Sequence, residues 1–463
     1  MRLLRRILKT LAVVAVSAIV VGAAWLFVTL SDLLKVGDGY AAKIMCSNVF
    51  IAGRDPDAIL SKDVQAPGNP LLKLVRVDID REEKRVTARI LGWLAPNYAV
   101  YRGTFGCANV PDGDFEAARR SVPDEPRQPL AERRAPWPDG DDVADDGDQR
   151  IATLLTRSAL TGEGMRAVVV VHDGRIVAET YGDGFGPTTP LIGWSMTKTV
   201  NAAILGRAME EHKVGLDDAN LLPQWAGDWR SKITVANLLA MESGLEFSED
   251  YDIVSDVTRM LYLNTDQTQL PAGKLLKEAD RGTFNYSSGT SVLLSRVWMD
   301  RVGNPQTAFD YPRQALFGPL GMSSAVFEVD AHGTFAGGSY LYATARDWAR
   351  FGQFLLMDGK WKEQQLLPEG FVAMMRTPTE ASDGRYTAGQ AWAKLPGAVT
   401  NAEAGLPSDT FWMEGHDGQS TAIVPSAKLV VVRMGLTPSS YKYTSQSLLK
   451  EILAVLPAGD QST

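Results

Sequence analysis

Three short stretches of this chain hold residue types suited to nucleophilic and acid–base chemistry. The first is Gly193-Trp194-Ser195-Met196-Thr197-Lys198, followed by an apolar helical pattern in Val200, Ala203, Ile204 and Ala208. A Ser and a Lys at i and i+3 share one helix face. A Lys whose charge is disfavoured by burial can take the proton of a neighbouring hydroxyl. The helix N-terminus at Ser195 also favours negative charge developing nearby. The second stretch is Phe284-Asn285-Tyr286-Ser287-Ser288-Gly289, where a loop entering a helix would project a phenol. Tyr titrates at about 10 unperturbed, and a Lys ammonium beside it would lower that and make it a usable base. The third is Glu414-Gly415-His416-Asp417-Gly418-Gln419-Ser420, opening onto the strand Thr421-Ala422-Ile423. Glycines beside a strand permit close backbone approach to a ligand. One backbone N–H here and that of Ser195 would suit an oxyanion. Each stretch alone also has an ordinary reading: an N-cap Ser with a surface Lys, a loop Tyr, a β-turn with an exposed His.

Their order and spacing separate these readings. The chain resembles the serine β-lactamase/penicillin-binding-protein-like superfamily, in which a Ser-x-x-Lys, a Tyr-x-Asn and a Lys-Thr-Gly-type element follow one another. Here the three stand at 195–198, 286–288 and 416–418. The stretch 233–245 and Pro319-Leu320-Gly321-Met322 match the same style, and the resemblance covers about residues 151–458. It looks closest to the class C-like branch, near 6-aminohexanoate-dimer hydrolases and related esterases. The resemblance implies that Ser195 is acylated, that Lys198 holds its proton and that Tyr286 acts as base and acid. It further implies an oxyanion hole from the backbone N–H groups of Ser195 and Gln419. Ser288 replaces the usual Asn, and His416-Asp417-Gly418 replaces Lys-Thr-Gly. These residues, with Trp194, are the expected substrate-binding set. A fixed cation for a β-lactam carboxylate is missing, since His titrates at about 6.5. Both departures bear on antibiotic hydrolysis more than on catalysis itself.

The elements that must position these residues are legible in outline. Ala167–Val171 and Ile176–Tyr181 read as strands around an Asp-Gly turn. Helical patterns follow near 195–212, 234–243, 288–302 and 344–358. Strands return at Phe411–Glu414, Thr421–Val424 and Leu429–Met434, and a last helix runs from Ser445 to Leu456. Strands at both ends with helices between predict an α+β fold: an antiparallel sheet flanked by helices, closed by joining the two ends, with an inserted helical lobe. The resemblance makes it β-lactamase/transpeptidase-like.

Ahead of the hydrolase domain expected at 151–463, the chain divides further. Leu11 to Leu30 is a run without charge, preceded by Arg2, Arg5, Arg6 and Lys9. About 20 apolar residues span a bilayer, and positive residues stay inside. This predicts a cytoplasmic tip (1–10), a transmembrane anchor (11–30) and a catalytic domain outside the cytoplasm, periplasmic in a Gram-negative cell. A signal peptide cleaved near Ala41-Ala42 is the competing reading. Cys46 and Cys107, the only cysteines, would then lie on the oxidising side, where one bond between them is the simplest pairing. They sit in a small unit at 31–110 that contains a β-hairpin around Asp80-Arg81-Glu82-Glu83. Residues 111–150, rich in Pro and Asp, read as a solvated, extended connector.

The net charge of −8 argues against a general nucleic-acid binder. No metal-ligand spacing, phosphate-cradling loop or Gly-x-Ser-x-Gly is present, so no metal or cofactor is implied. The reading is a membrane-anchored serine hydrolase acting on a small ester or amide. The alternatives are a penicillin-binding-type D,D-peptidase or β-lactamase, and a non-catalytic envelope binding protein. Oligomeric state and natural substrate stay open.

Overall fold

The four consecutive valines Val168–Val171 are all fully buried. Successive strand residues point to opposite faces, so this pattern requires a sheet covered on both sides. The computed structural model contains that sheet and describes residues 2–66, 68–130, 133–275 and 280–456. In chain order, the elements that position the site are α1 (Arg2–Phe50), β1 (Val75–Asp80), β2 (Arg85–Ile90), β3 (Leu94–Tyr101) and β4 (Cys107–Asn109). Next come α2 (Gln149–Leu155), β5 (Met165–His172), β6 (Arg175–Tyr181), β7 (Leu191–Ile192), α3 (Met196–Glu210) and α4 (Ser288–Val302). The remainder are β8 (Val326–Phe327), β9 (Leu341–Ala343), α5 (Ala345–Leu356), β10 (Phe411–Gly415), β11 (Gln419–Val424), β12 (Leu429–Gly435) and α6 (Gln446–Val455).

The central sheet has the order β10-β11-β12-β5-β6, every pair antiparallel. The last strand of the chain thus pairs with the first of the hydrolase region, Val430 opposite Val171. One face, with Val169, Val171, Val430 and Val432, packs with the apolar residues of α3 and α5. The other, with Val168, Val170, Ala422 and Val431, packs against α2 and α6. The fold is α+β, an antiparallel sheet flanked by helices with a mainly helical region between β6 and β10. A smaller sheet, β7-β9-β8, carries the chain into α3.

The N-terminal part is joined closely to this body. β1 to β4 form an antiparallel four-stranded sheet, and Cys46 of α1 is disulfide-bonded to Cys107 of β4. Leu34, Ala41, Ile44, Met45 and Val49 of α1 share one core with Ile192, Trp194, Tyr262 and Tyr340. Buried polar groups cross the same junction. Lys43 pairs with Glu328, which also accepts from Ser47 Oγ (2.9 Å) and Cys107 N (2.7 Å). Arg166 of β5 pairs with Asp63 at 2.6 Å.

The Pro/Asp-rich segment expected as a connector is largely exposed but is tied to the body at several points. Trp137 is buried in the main core, and Arg350 of α5 donates to the carbonyls of Pro138 (2.9 Å) and Gly140 and to Asp141 (2.8 Å). Its aspartates are largely partnered: Asp139 by Lys362, Asp146 by Arg175, Asp148 by Arg150. Composition registers the prolines and charges but not the cations Arg175, Arg350 and Lys362 on other parts of the chain. The span expected at 11–30 lies within α1. Among the described residues no helix is long and apolar enough to cross a membrane, and residues 12, 18, 20 and 23–29 have side chains outside that description.

Candidate active site

Ser195 is the N-cap of α3, yet it has helical backbone angles (φ −66°, ψ −10°) and its side chain caps no backbone N–H. Its hydroxyl is therefore spared for other partners. The preceding residue, Trp194, sits at φ +46°, a left-handed conformation that costs a non-glycine residue about 1–3 kcal/mol. The Trp194 ring is 4% exposed and packs against Tyr340 and His416, each at 5.8 Å between centroids. That packing holds the sharp turn that turns Ser195 outward. Trp194 is thus a support under the turn that carries Ser195.

Lys198 lies one turn along α3 and is 1% exposed. Its Nζ is 2.9 Å from Ser195 Oγ, 2.9 Å from Ser288 Oγ and 2.8 Å from the Gly338 carbonyl. Burial lowers its pKa to about 8, against the opposing pull of the Glu249 carboxylate 4.0 Å away. A Cβ on Gly338 would meet the Ser288 backbone carbonyl at 2.9 Å, so glycine lets that segment approach closely enough to offer its carbonyl to Lys198.

Tyr286 brings its ring centroid to 4.8 Å from Lys198 Nζ. The expectation that the Lys would lower its pKa is not met. Burial raises the phenol well above its usual range, Glu249 and Glu414 add to this, and only the hydrogen bond with Ser195 acts the other way. Tyr286 is therefore a neutral acid at ordinary pH. Tyr386 (5.6 Å) and Trp392 (5.1 Å) pack against its ring and fix its direction.

Ser288, expected to contact substrate, is fully buried. Its Oγ donates to Glu249 Oε1, its backbone N–H donates to Glu249 Oε2 at 2.8 Å, and it accepts from Lys198. It belongs to the support of Lys198. Glu249 was not among the sequence candidates. It lies in a loop without periodic pattern, where nothing in the spacing marks one carboxylate above its neighbours Glu246, Asp250 and Asp252.

The third stretch turns between β10 and β11. A Cβ on Gly415 would meet the Gly193 carbonyl at 2.2 Å, so the end of β10 is pressed against the turn leading to Ser195. Gln419 is the register partner of Gly415. Its side chain is tied to the carbonyls of His416 (2.9 Å) and Gly435 (2.7 Å) and to the Gly435 N–H (2.7 Å). The His416 side chain is 44% exposed, whereas Asp417 is mostly buried at φ +58°. Below the turn, Arg433 is fully buried and donates to the carbonyls of Gly418 and Thr161, both at 2.9 Å. That cation is spent on backbone carbonyls and on the Thr437 hydroxyl at 2.6 Å. The arrangement gathers Ser195, Lys198, Tyr286 and Ser288 in one place and brings the 415–419 turn to its edge.

A family model described as Beta-lactamase matches residues 158–442. Among curated proteins, a 6-aminohexanoate-dimer hydrolase of Paenarthrobacter ureafaciens is 27% identical over 225 residues, 44% of this chain and 55% of that protein. The chain thus spans about half the length of this curated relative. Among solved structures, a penicillin-binding protein homolog from Caulobacter crescentus aligns with TM-score 0.52 and 15% identity, covering 68% of this chain and 100% of that one. A penicillin-binding protein from Bacillus halodurans aligns with TM-score 0.51 and 17% identity, covering 65% and 100%. At these identities the structural likeness speaks for the fold.

Proposed function

The chain belongs to the beta-lactamase family, and from that premise we propose that it is a serine hydrolase that cleaves an ester or amide through an acyl-enzyme on Ser195. The observation that carries this reading is the buried Lys198 amine, 2.9 Å from a Ser195 hydroxyl that caps no helix N–H. Neutral Lys198 takes the Ser195 proton as Oγ attacks the substrate carbonyl carbon. The Ser195 N–H and a backbone N–H of the 415–419 turn, Gln419 in the family pattern, receive the oxyanion. On collapse the leaving group takes the Tyr286 proton, which the Lys198 ammonium restores. Lys198, neutral again, is then free to serve as base for the water that cleaves the acyl-enzyme.

The substrate class follows from what the third stretch lacks. At the third stretch His416-Asp417-Gly418 stands where the family has Lys-Thr-Gly, and Arg433, which holds the Gly418 carbonyl, is fully buried. This favours esters and linear amides over β-lactams and peptidoglycan, whose carboxylates call for a fixed cation. The similarity to a hydrolase of the 6-aminohexanoate dimer from Paenarthrobacter ureafaciens points the same way.

We also propose that α1 attaches the enzyme to a membrane with its body on the oxidising side. Support comes from the charge-free run 11–30 behind four cations, from the exposed Leu11, Val13, Val14, Val16, Ile19 and Val21 on α1, and from the Cys46–Cys107 bond.

The test is fluorophosphonate labelling of purified protein with adduct mass spectrometry, run beside a hydrolysis screen of short-chain esters, linear amides and a chromogenic cephalosporin. The expected result is one adduct on Ser195, absent in Ser195→Ala, with ester or amide turnover exceeding that of the cephalosporin. Unchanged labelling of Ser195→Ala would sink the assignment.

A further inference from the structure

The hydrogen-bond directions around Lys198 carry one step more, which rests on the acyl-enzyme reading above. A neutral amine has two N–H donors and one unshared pair; an ammonium has three donors. Lys198 Nζ has three oxygen neighbours: Gly338 O, Ser288 Oγ and Ser195 Oγ. The Gly338 carbonyl can only accept. Ser288 Oγ could accept from Lys198 or donate to it, and the second arrangement would capture the unshared pair and leave Ser195 without a base. Glu249 removes that option. A carboxylate only accepts, so the single Ser288 hydroxyl proton goes to Glu249 Oε1 and its oxygen is left as an acceptor toward Lys198.

We propose that Glu249 is a positioning residue that, by holding the Ser288 proton, aims the unshared pair of neutral Lys198 at Ser195. With both N–H groups committed to Gly338 O and Ser288 Oγ, the remaining valence of Lys198 meets the Ser195 hydroxyl. When Ser195 gives up its proton, the same direction becomes the third N–H of the ammonium, and no other bond has to turn. The Ser288 departure from the family's Asn gains a meaning here. An Asn side chain carries its own donors and acceptor, whereas a hydroxyl takes its direction from a neighbour, and the neighbour present is Glu249. The carboxylate is itself fixed by the Ser288 N–H at 2.8 Å and the Tyr251 hydroxyl at 3.2 Å.

The titratable groups facing this unit are known. Glu249 and Tyr286 face Lys198, Tyr251 and Tyr386 face Glu249, Tyr251 also hydrogen-bonds Ser288 and is faced by Tyr262 and the His416 ring at 5.1 Å, and Glu414 of β10 faces Tyr286. Of these, Glu249 is the one that raises the Lys198 pKa. Its removal therefore leaves Lys198 neutral at lower pH, which a purely structural role would not do.

The experiment measures the rate of Ser195 fluorophosphonate labelling against pH for the wild type, Glu249→Gln, Ser288→Ala and the double variant, with thermal melting to check folding. Glu249→Gln should lower the alkaline plateau by about tenfold or more through misdirection of the base. It should also move the acid limb down by about one pH unit. Ser288→Ala keeps the carboxylate charge, so it should lower the plateau with little movement of the limb. The double variant should be no slower than the slower single one, because both act through one hydroxyl. A folded Glu249→Gln with an unmoved limb, multiplying defects, or a Ser288→Ala plateau equal to wild type would each overturn the inference. The Ser288→Ala arm holds even if Glu249→Gln fails to fold. Absence of labelling in the wild type would overturn the Ser195 reading as well, so the two failures are told apart.

Discussion

At pH 7 an amine titrating at about 8 is neutral in roughly one molecule in ten. The wild-type labelling rate should therefore rise about tenfold between pH 7 and a plateau above pH 9, following the Lys198 base, and Lys198→Ala should remove that rise along with most of the rate. Tyr286, held protonated by burial, adds no second rise over this range. Its role as proton donor predicts a split by leaving group. Tyr286→Phe should cost amide turnover about 10²–10⁴-fold, whereas a p-nitrophenyl ester, whose leaving group departs without a proton, should acylate at near the wild-type rate in stopped-flow measurements. Equal losses on both substrates would remove Tyr286 from the donor role. Of these residues, Ser195, Lys198 and Tyr286 are legible in the sequence because their partners lie a helix turn apart or in a motif. Glu249 is not, since its meaning arises only when a loop brings it to Ser288 and Lys198. The phenol's pKa is misjudged for a related reason: sequence places a cation beside it but does not show how deeply both are buried.

The turn that leads into α3 meets strand β10 backbone to backbone, with no side chain between Gly415 and Gly193. This contact sets the distance between the nucleophile and the 415–419 turn. Gly415→Ala would place a methyl 2.2 Å from the Gly193 carbonyl, so the two elements must part. The expected outcome is a loss of about 100-fold in kcat/KM for the best ester, with a melting temperature lowered by only a few degrees; an activity near wild type would show that this approach does not shape the site. The strands and long helices around it are readable from periodicity and turn chemistry, and the structure places α4 at Ser288–Val302 and β5 at Met165–His172, close to the expected bounds. The short pieces between β6 and β10 are less legible, because few-residue helices and strands such as β7 and β8 carry too little pattern to show a period.

Across the whole molecule, the N-terminal part and the hydrolase body share a core that includes the residue before the nucleophile. The buried pair Lys43–Glu328 ties them together. Lys43→Met would leave Glu328 charged and unpaired in that core and should cost about 3–5 kcal/mol in chemical denaturation. Pairing it with Glu328→Gln should recover part of the loss, and a change under 1 kcal/mol for the single variant would show the junction to be softer than drawn. None of this is legible from 31–110 alone, since the polar partners stand 103 to 285 residues away. One consequence concerns reach. Helix α1 runs without interruption from Arg2 to Phe50, so the apolar stretch and the helix segment under Trp194 form a single rod. At about 1.5 Å per residue, the step from residue 30 to the middle of the packed segment is roughly 20 Å. If the first part is seated in a bilayer, there is no leash. Under the proposed attachment the active site would then stand at a set height above the lipid, like a tool on a fixed post, and would sample molecules that come to that shallow layer of solution.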